Sequence, residues 1–353
     1  MFDRLLKKVL LVVLIVMSLC IAGCTKKDSE VSNNESGNEI VIGFSQLGAE
    51  SDWRSANTES MKSTFCKENG YNLLFDDGQQ KQTNQMMAIR TFIQQEVDYI
   101  VLAPVTETGW DTVLQEAKEA NIPVIIVDRM VNVSDDSLYS AWVGSNFELE
   151  GRKMVAWLEA FLEIKGRNEE RINIVNIQGT LGATAQIGRT KALMDAVEEN
   201  ENWNLLAAES GEYTQAKAKE VMESFLEQYG DDIDIVYCEN DNEAFGAIEA
   251  IEAKGLTVGA DGDIMVLSFD STNAGLTEVL NGKITCDTEC NPLHGPRVEE
   301  IIKQLEKGEK PEKLKYVDEE IFAIDSDVKT ITVDGTEYEV NRVTNQIIES
   351  RAY

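Results

Sequence analysis

Polar residues able to grip a small ligand recur directly behind the short apolar runs of this chain. IVIGFS (40–45) ends at Ser45-Gln46 and leads to Glu50, Ser51, Asp52, Trp53 and Arg54. PVIIV (123–127) is followed by Asp128-Arg129, and INIVNI (172–177) by a Gly-rich turn and Arg189. Behind IDIVYC (233–238) stand Glu239-Asn240-Asp241, and behind IMVLSF (264–269) stands Asp270. A further short strand at 284–288 delivers Glu289 and Asn291. Arginines, carboxylates, an asparagine and a tryptophan together suit a neutral polyhydroxylated molecule. Each hydroxyl both donates and accepts, so carboxylates take its proton while Arg and Asn donate to its oxygen. The planar forks of Arg and Asp hold vicinal hydroxyls in pairs, and an indole covers the C–H face of a ring. Taken singly these residues are ordinary caps and turn formers. The same residue type at strand end after strand end carries the reading.

What must position them is a parallel α/β scaffold. Apolar runs of four to seven residues alternate with amphipathic stretches of about 11 to 17, the pattern of βαβ units. Helical patterns are expected over 53–69, 84–95, 110–120, 146–162, 184–199, 215–228 and 241–254. Strands are expected at each apolar run, near 71–75, 99–103, 139–143 and 205–209 as well. The pattern restarts after residue 143 without a Gly/Ser linker, which predicts two similar doubly wound parallel-sheet lobes joined by short crossings. In such sheets ligands sit outside the carboxyl ends of the strands. The expected division is 39–144 plus 287–316 for the N-terminal lobe and 145–286 plus 317–353 for the C-terminal lobe. An Asp334-Gly335 turn within TITVDGTEYEV (330–340) adds a hairpin to the latter.

Composition narrows the function. The 353 residues carry 32 Lys plus Arg against 63 Asp plus Glu, a net charge of −31. That excess repels phosphate and argues against nucleic acid as a partner. One His and six Cys cannot build a multi-histidine metal enzyme. The motifs of P-loops, HExxH zinc enzymes and Gly-x-Ser-x-Gly hydrolases are absent from the sequence. Asp325-Ser326-Asp327 opens like a calcium loop, but Lys329 takes the next ligand position. No cofactor or metal is therefore expected, nor an enzyme, since an Arg beside each carboxylate suits binding more than proton transfer. Cys286 and Cys290 bracket a strand. Four extended residues span roughly 13 Å, too far for a bridge that needs about 7 Å. His294, between Pro292 and Pro296, reads as a structural residue opening a helix.

The N-terminus reads as an address. Arg4, Lys7 and Lys8 precede an apolar run, 9–21, too short for a comfortable membrane span. It ends in Leu19-Cys20-Ile21-Ala22-Gly23-Cys24, which resembles a bacterial lipobox. That resemblance implies cleavage of a signal peptide, 1–23, and a lipid on Cys24. Residues 24–38 then read as a flexible tether, placing the protein on the outer face of the bacterial cytoplasmic membrane.

GFSQLGAESDWR (43–54), DDGQQKQTNQ (76–85), APVTETGW (103–110), IVDR (126–129), QGTLGATAQIGR (178–189) and KEVMESF (219–225) resemble the type I periplasmic sugar-binding proteins of ABC transporters, and within these the galactofuranose-binding proteins. The resemblance covers about residues 40–320. It implies a monomeric receptor that closes on a monosaccharide, a galactofuranose or a pentose such as arabinose or ribose, and delivers it to an ABC permease. The alternative it leaves open is a sensor that presents its ligand to a receptor kinase. By the same resemblance Glu50, Ser51, Trp53 and Arg54 form the first binding loop, Asp128 and Arg129 the Asp-Arg pair, and Arg189, Asn240 and Asp270 the second-lobe set. Glu289 stands where relatives carry Glu or Gln near the hinge. Asp52 departs from the Gly of the galactofuranose group. Its carboxylate either faces solvent as a helix cap or alters which hydroxyls are accepted.

Overall fold

A computed structural model describes residues 39–324 and 327–353. The leader, Cys24 and the tether lie outside the described residues, as do Asp325 and Ser326. The strands are β1 (Ile40–Gln46), β2 (Tyr71–Asp77), β3 (Tyr99–Leu102), β4 (Val124–Val127), β5 (Ala141–Gly144), β6 (Ile172–Gln178), β7 (Trp203–Ser210), β8 (Ile235–Cys238), β9 (Met265–Asp270), β10 (Cys286–Glu289), β11 (Leu314–Tyr316), β12 (Ile321–Ala323), β13 (Thr330–Val333) and β14 (Thr336–Arg342). The α-helices are α1 (Asp52–Thr64), α2 (Gln82–Gln94), α3 (Asp111–Glu119), α4 (Phe147–Ile164), α5 (Thr184–Glu199), α6 (Gln215–Tyr229), α7 (Asp241–Ala253), α8 (Asn273–Leu280), α9 (Gly295–Glu306) and α10 (Asn345–Ser350).

Two sheets result. The first, in the order β11-β5-β4-β3-β1-β2, is parallel throughout. The second runs β13-β14-β12-β10-β9-β8-β6-β7, with a parallel body and β12 antiparallel to β10. Strands such as YIVL and VIIV are buried along their whole length, because helices cover both faces of the sheet. Each lobe therefore has two apolar layers, one on either side of its sheet. A small fifth cluster, Trp53, Phe147, Ala183, Ala185, Tyr213 and Cys290, joins the lobes. Among the described residues no helix is long and apolar enough to cross a membrane.

The chain passes between the lobes three times, at Ser145-Asn146, at 290–294 and at 317–320. The second crossing corrects the expected boundary at 287. All four residues of β10 pair with β9, ending at Glu289↔Asp270, so the chain leaves the second lobe only at Cys290. Helix α9 then packs on α1 in the first lobe, where Gly295 lies so close that a Cβ would sit 2.3 Å from the Ser60 carbonyl oxygen. The expected helix over 53–69 stops at Thr64, and a 3-10 turn, Lys67–Asn69, follows. Helix α8 is absent from the expectations; its eight residues are too few to show a period. Thr272 caps it, accepting from Gly275 N. The hairpin β13–β14 forms as expected and extends the second sheet. It is pinned to α4 by Arg152–Asp334 at 2.6 Å and by Lys153 over the Tyr338 ring. Cys286 and Cys290 are both free and buried.

Candidate functional site

The carboxyl ends of both sheets face a shared cavity of about 280 Å³, mouth included. Helix starts and strand ends supply its walls. Ser51 caps α1 by accepting from Arg54 N, which fixes the first-turn side chains Trp53 and Arg54 over the cavity. Asn240 caps α7 in the same way, its Oδ1 accepting from Glu243 N at 2.8 Å. Arg189 projects from the second turn of α5.

In the first lobe, Arg54 NH2 donates to Asp128 Oδ2 at 2.5 Å and its Nε to Glu50 Oε1 at 3.2 Å. Arg129 donates to the same Glu50 oxygen at 3.2 Å and to the Val105 carbonyl at 2.9 Å. Burial opposes the Arg54 charge, but the Asp128 and Glu50 carboxylates outweigh it and hold the guanidinium charged. Burial likewise opposes ionisation of Asp128; Arg54, Arg129 and His294 overcome it and keep its carboxyl below the usual range. Asp128 sits at φ 61°, a left-handed conformation that a non-glycine residue holds only under constraint. The constraint is visible: Asp128 N donates to Val143 O, and Trp142 Nε1 donates to Asp128 O.

In the second lobe, Arg189 Nε donates to Glu150 Oε2 at 2.8 Å, NH1 to the Glu239 carbonyl, and NH2 approaches Asp270 Oδ1 at 3.4 Å. Its guanidinium lies 4.7 Å over the Phe269 ring. Burial pushes the Asp270 carboxyl well up despite Arg189, whose shorter contact goes to Glu150. Burial also raises Glu239 to about 7. Asp270 has φ 107°. The loop behind it is tied down by Ser271 N to Asp287 and by Thr272 N and Oγ1 to Asp241.

The structure brings Glu50, Ser51, Trp53, Arg54, Asp128, Arg129, Arg189, Asn240 and Asp270 together around one space. It sets Asp52 and Glu289 apart. Asp52 is exposed in the first turn of α1, where its backbone N–H reaches Asn242 of the other lobe at 3.1 Å. That is the helix-start, solvent-facing position. Glu289 is turned away from the cavity, accepting from Arg351, Tyr353 Oη, Asn291 and Glu320 N, and thus fastening the tail to the end of β10. The resemblance places Glu289 at the site because β10 does end beside it; its carboxylate is instead occupied by the C-terminal tail.

Four cavity residues escaped the sequence reading: Phe147, Ala185, Tyr213 and Cys290. Phe147 and Tyr213 follow β5 and β7 by three residues, so the strand-end rule, applied there too, would have found them. Tyr213 fits because residue 179 is glycine: a Cβ there would lie 1.9 Å from the phenol ring. Its hydroxyl is buried without a partner. Cys290 contributes its carbonyl to Trp53 Nε1 at 2.6 Å, locking the indole to the second crossing.

A periplasmic binding protein domain matches residues 42–292. The chain belongs to the periplasmic binding protein family. It is 39% identical to the galactofuranose-binding protein YtfQ of Escherichia coli (strain K12), over 81% of this chain and 89% of that one. A Mycobacterium smegmatis crystal structure in complex with β-D-fucofuranose is 40% identical, with TM-score 0.76, covering 80% of this chain and 91% of that one. The binding component of the arabinose ABC transporter of Shewanella sp. ANA-3, bound to α- and β-L-arabinofuranose, is also 40% identical, with TM-score 0.75 and the same coverage. These relatives are binding proteins rather than enzymes, and they share the fold of two parallel-dominated sheets.

Proposed function

We propose that this periplasmic binding protein is the receptor of an ABC sugar importer, closing its two lobes on a furanose monosaccharide. Galactofuranose is the first choice and a pentose such as arabinose or ribose the second. The observation that carries the reading is the division of the site. Each lobe contributes a buried Arg–carboxylate group to one small cavity, and Trp53 and Phe147 supply the apolar walls. A sugar hydroxyl can replace one partner of each pair while keeping donors and acceptors matched; an anion would leave the carboxylates opposed. Glu50, Arg54, Asp128 and Arg129 would take one side of the ring, and Arg189, Asn240 and Asp270 the other, with Ser51 at the edge. Contacts from both lobes exist together only when the cleft is shut, so ligand favours the closed form.

Anchorage through a lipid on Cys24, with 24–38 as tether, would hold the receptor beside its permease at the outer face of the membrane. The test is calorimetric titration of residues 39–353, unfolded and refolded to remove carried sugar, against D-galactose, L-arabinose, D-ribose, D-glucose and D-xylose. Micromolar or tighter binding to one or two of them is expected, roughly −8 kcal/mol or better. An apparent stoichiometry below one, set by the furanose fraction, identifies the ring form. Silence across the panel overturns the monosaccharide reading.

A further inference from the structure

The three crossings between the lobes meet at one half-buried carboxyl group, that of Glu319. Its Oε1 accepts from Ser145 Oγ of the first crossing at 2.5 Å and from Asn291 N of the second at 2.7 Å, while Glu319 itself belongs to the third. On its other side stands Glu150 of α4. The carboxylates of Glu150 and Glu319 and the Cys290 thiol all lie within 4.8 Å of one another. Glu150 Oε2 accepts from Arg189, the cation of the second-lobe site, but Glu150 Oε1 is buried and, among the described residues, has no donor from any other side chain or from the backbone. Two ionised carboxylates in contact in this interior would repel strongly.

We propose that Glu319 carries a proton in the closed form and donates it to Glu150 Oε1, so that one carboxyl–carboxylate hydrogen bond couples the hinge to Arg189 and makes ligand affinity fall as that proton is lost. The inference rests on the ligand reading given above. Glu319 is a positioning residue: it touches no ligand and acts through Glu150 and Arg189. Every polar atom then has a partner. Glu319 Oε1 takes Ser145 and Asn291, its protonated oxygen faces Glu150 Oε1, and Glu150 Oε2 takes Arg189.

The charged and titratable groups around the pair come from each neighbouring element. They are Glu150 and Lys153 on α4, Arg189 on α5, Asp270 at the end of β9, Glu289 at the end of β10, Cys290 in the second crossing and Asp318 in the third. Lys153 Nζ is held by the Glu319 carbonyl at 2.7 Å, beside the carboxyl rather than on it. Burial first and the Glu150 charge second push the Glu319 carboxyl well up. Because hinge residues absorb the backbone change of closure, the Glu150–Glu319 pair is driest and closest in the closed state. Opening lets water reach it and loosens the hold on its proton without breaking the pair.

The experiment measures sugar affinity of the wild-type protein, E319Q and S145A from about pH 6 to about pH 9. Glutamine mimics the protonated acid, donating to Glu150 and accepting from Ser145 and Asn291. E319Q and wild type should bind alike at the acid end, and wild type should weaken relative to E319Q by about tenfold for each pK unit by which closure tightens the proton. S145A removes a donor that favours the ionised acid, so its profile should shift to higher pH. Equal pH profiles for wild type and E319Q overturn the proposal, as does an unmoved S145A profile. A stoichiometric divalent cation retained by wild type and lost in E319Q also overturns it, because the metal would stand in place of the proton. If no sugar binds at any pH, the ligand reading has failed separately. Thermal melting of the free proteins still reads the pair: a wild-type melting point that falls relative to E319Q as pH rises supports it, and parallel curves refute it.

Discussion

Replacing Arg189 with methionine keeps most of the side-chain volume and removes the charge, so its consequences follow from the contacts rather than from a void. Arg189 is 2% exposed and serves Glu150, the Glu239 carbonyl and Asp270 at once. Removing one partner of a buried ion pair typically costs about 3–5 kcal/mol, because the remaining charge is stranded. For roughly 300 ordered residues that corresponds to a melting point lower by about 5–10 °C at neutral pH. The loss should shrink in acid. Asp270, whose carboxyl burial already pushes well up, holds its proton more tightly still without its cation. Its contribution is therefore present at low pH and lost as pH rises through the folded value. Sugar affinity should fall separately by about 10- to 150-fold, the equivalent of about 1.5–3 kcal/mol for a charge-assisted hydrogen bond. Melting curves at about pH 5 and about pH 8, with calorimetric titration of the folded variant, separate the two effects. A melting-point gap independent of pH refutes the stranded-carboxylate argument. Wild-type affinity refutes the placement of Arg189 against ligand.

Further expectations follow from neighbouring residues. Y213F removes a buried hydroxyl that has no partner in the free protein. It should leave the melting point unchanged or higher by a few degrees while weakening sugar binding about fivefold to tenfold; unchanged affinity would remove Tyr213 from the ligand contacts. D52G alters an exposed residue off the cavity and should change affinity less than about threefold, within about 0.6 kcal/mol, measured against the same sugar panel. G188A would bring a Cβ to 2.7 Å from Glu148 N and 2.8 Å from the Phe147 carbonyl carbon. It should cost about 1–3 kcal/mol and weaken binding by shifting Phe147 and Arg189, read by melting and titration together. Burial raises the carboxyls of Asp241, Asp287, Asp270 and Glu243, and Glu239 to about 7. Groups raised on folding stabilise below their unfolded pKa and lose that contribution as pH rises through the folded one. Asp128, lowered on folding, acts oppositely in strong acid. The free protein should therefore be most stable near about pH 5 and lose stability toward about pH 8; a melting point that rises over that interval contradicts the account.

Much of this architecture was legible because parallel strands buried on both faces are written as unbroken apolar runs. PVIIV and INIVNI announce themselves, and their helices carry the opposite pattern, so α5 could be bounded at 184–199 as found. The site was legible for a related reason: strand ends are fixed points in the sequence, and nine of the residues read from them line the cavity. What failed depends on direction and long-range pairing. Glu289 and Cys290 are adjacent in sequence, yet the Glu289 carboxylate is taken up by the C-terminal tail while Cys290 lines the cavity. The proper end of β10 is decided by its partner β9, not by its own composition, CDTE. The left-handed backbone at Asp128 and Asp270 has no signature in an Asp. It is imposed by Trp142 and Val143 at the first and by Asp241 and Asp287, through the following residues, at the second.

One feature of the cavity bears on the medium in which the receptor works. Among the described residues every ion pair in its walls is closed within a single lobe: Glu50, Arg54, Asp128 and Arg129 in the first, Glu150, Arg189 and Asp270 in the second. The hydrogen bonds that bridge the cleft are uncharged instead, Glu107 N to Gly182 O, Met130 N to Thr184 Oγ1 and Asp52 N to Asn242 Oδ1, and the Arg129 guanidinium lies over the Tyr213 ring of the other lobe. Opening and shutting therefore break no ion pair among the described residues. In a device built in this way dissolved salt has no cross-cleft ion pair to weaken, and acts instead by easing the mutual repulsion of two acidic lobes as they shut.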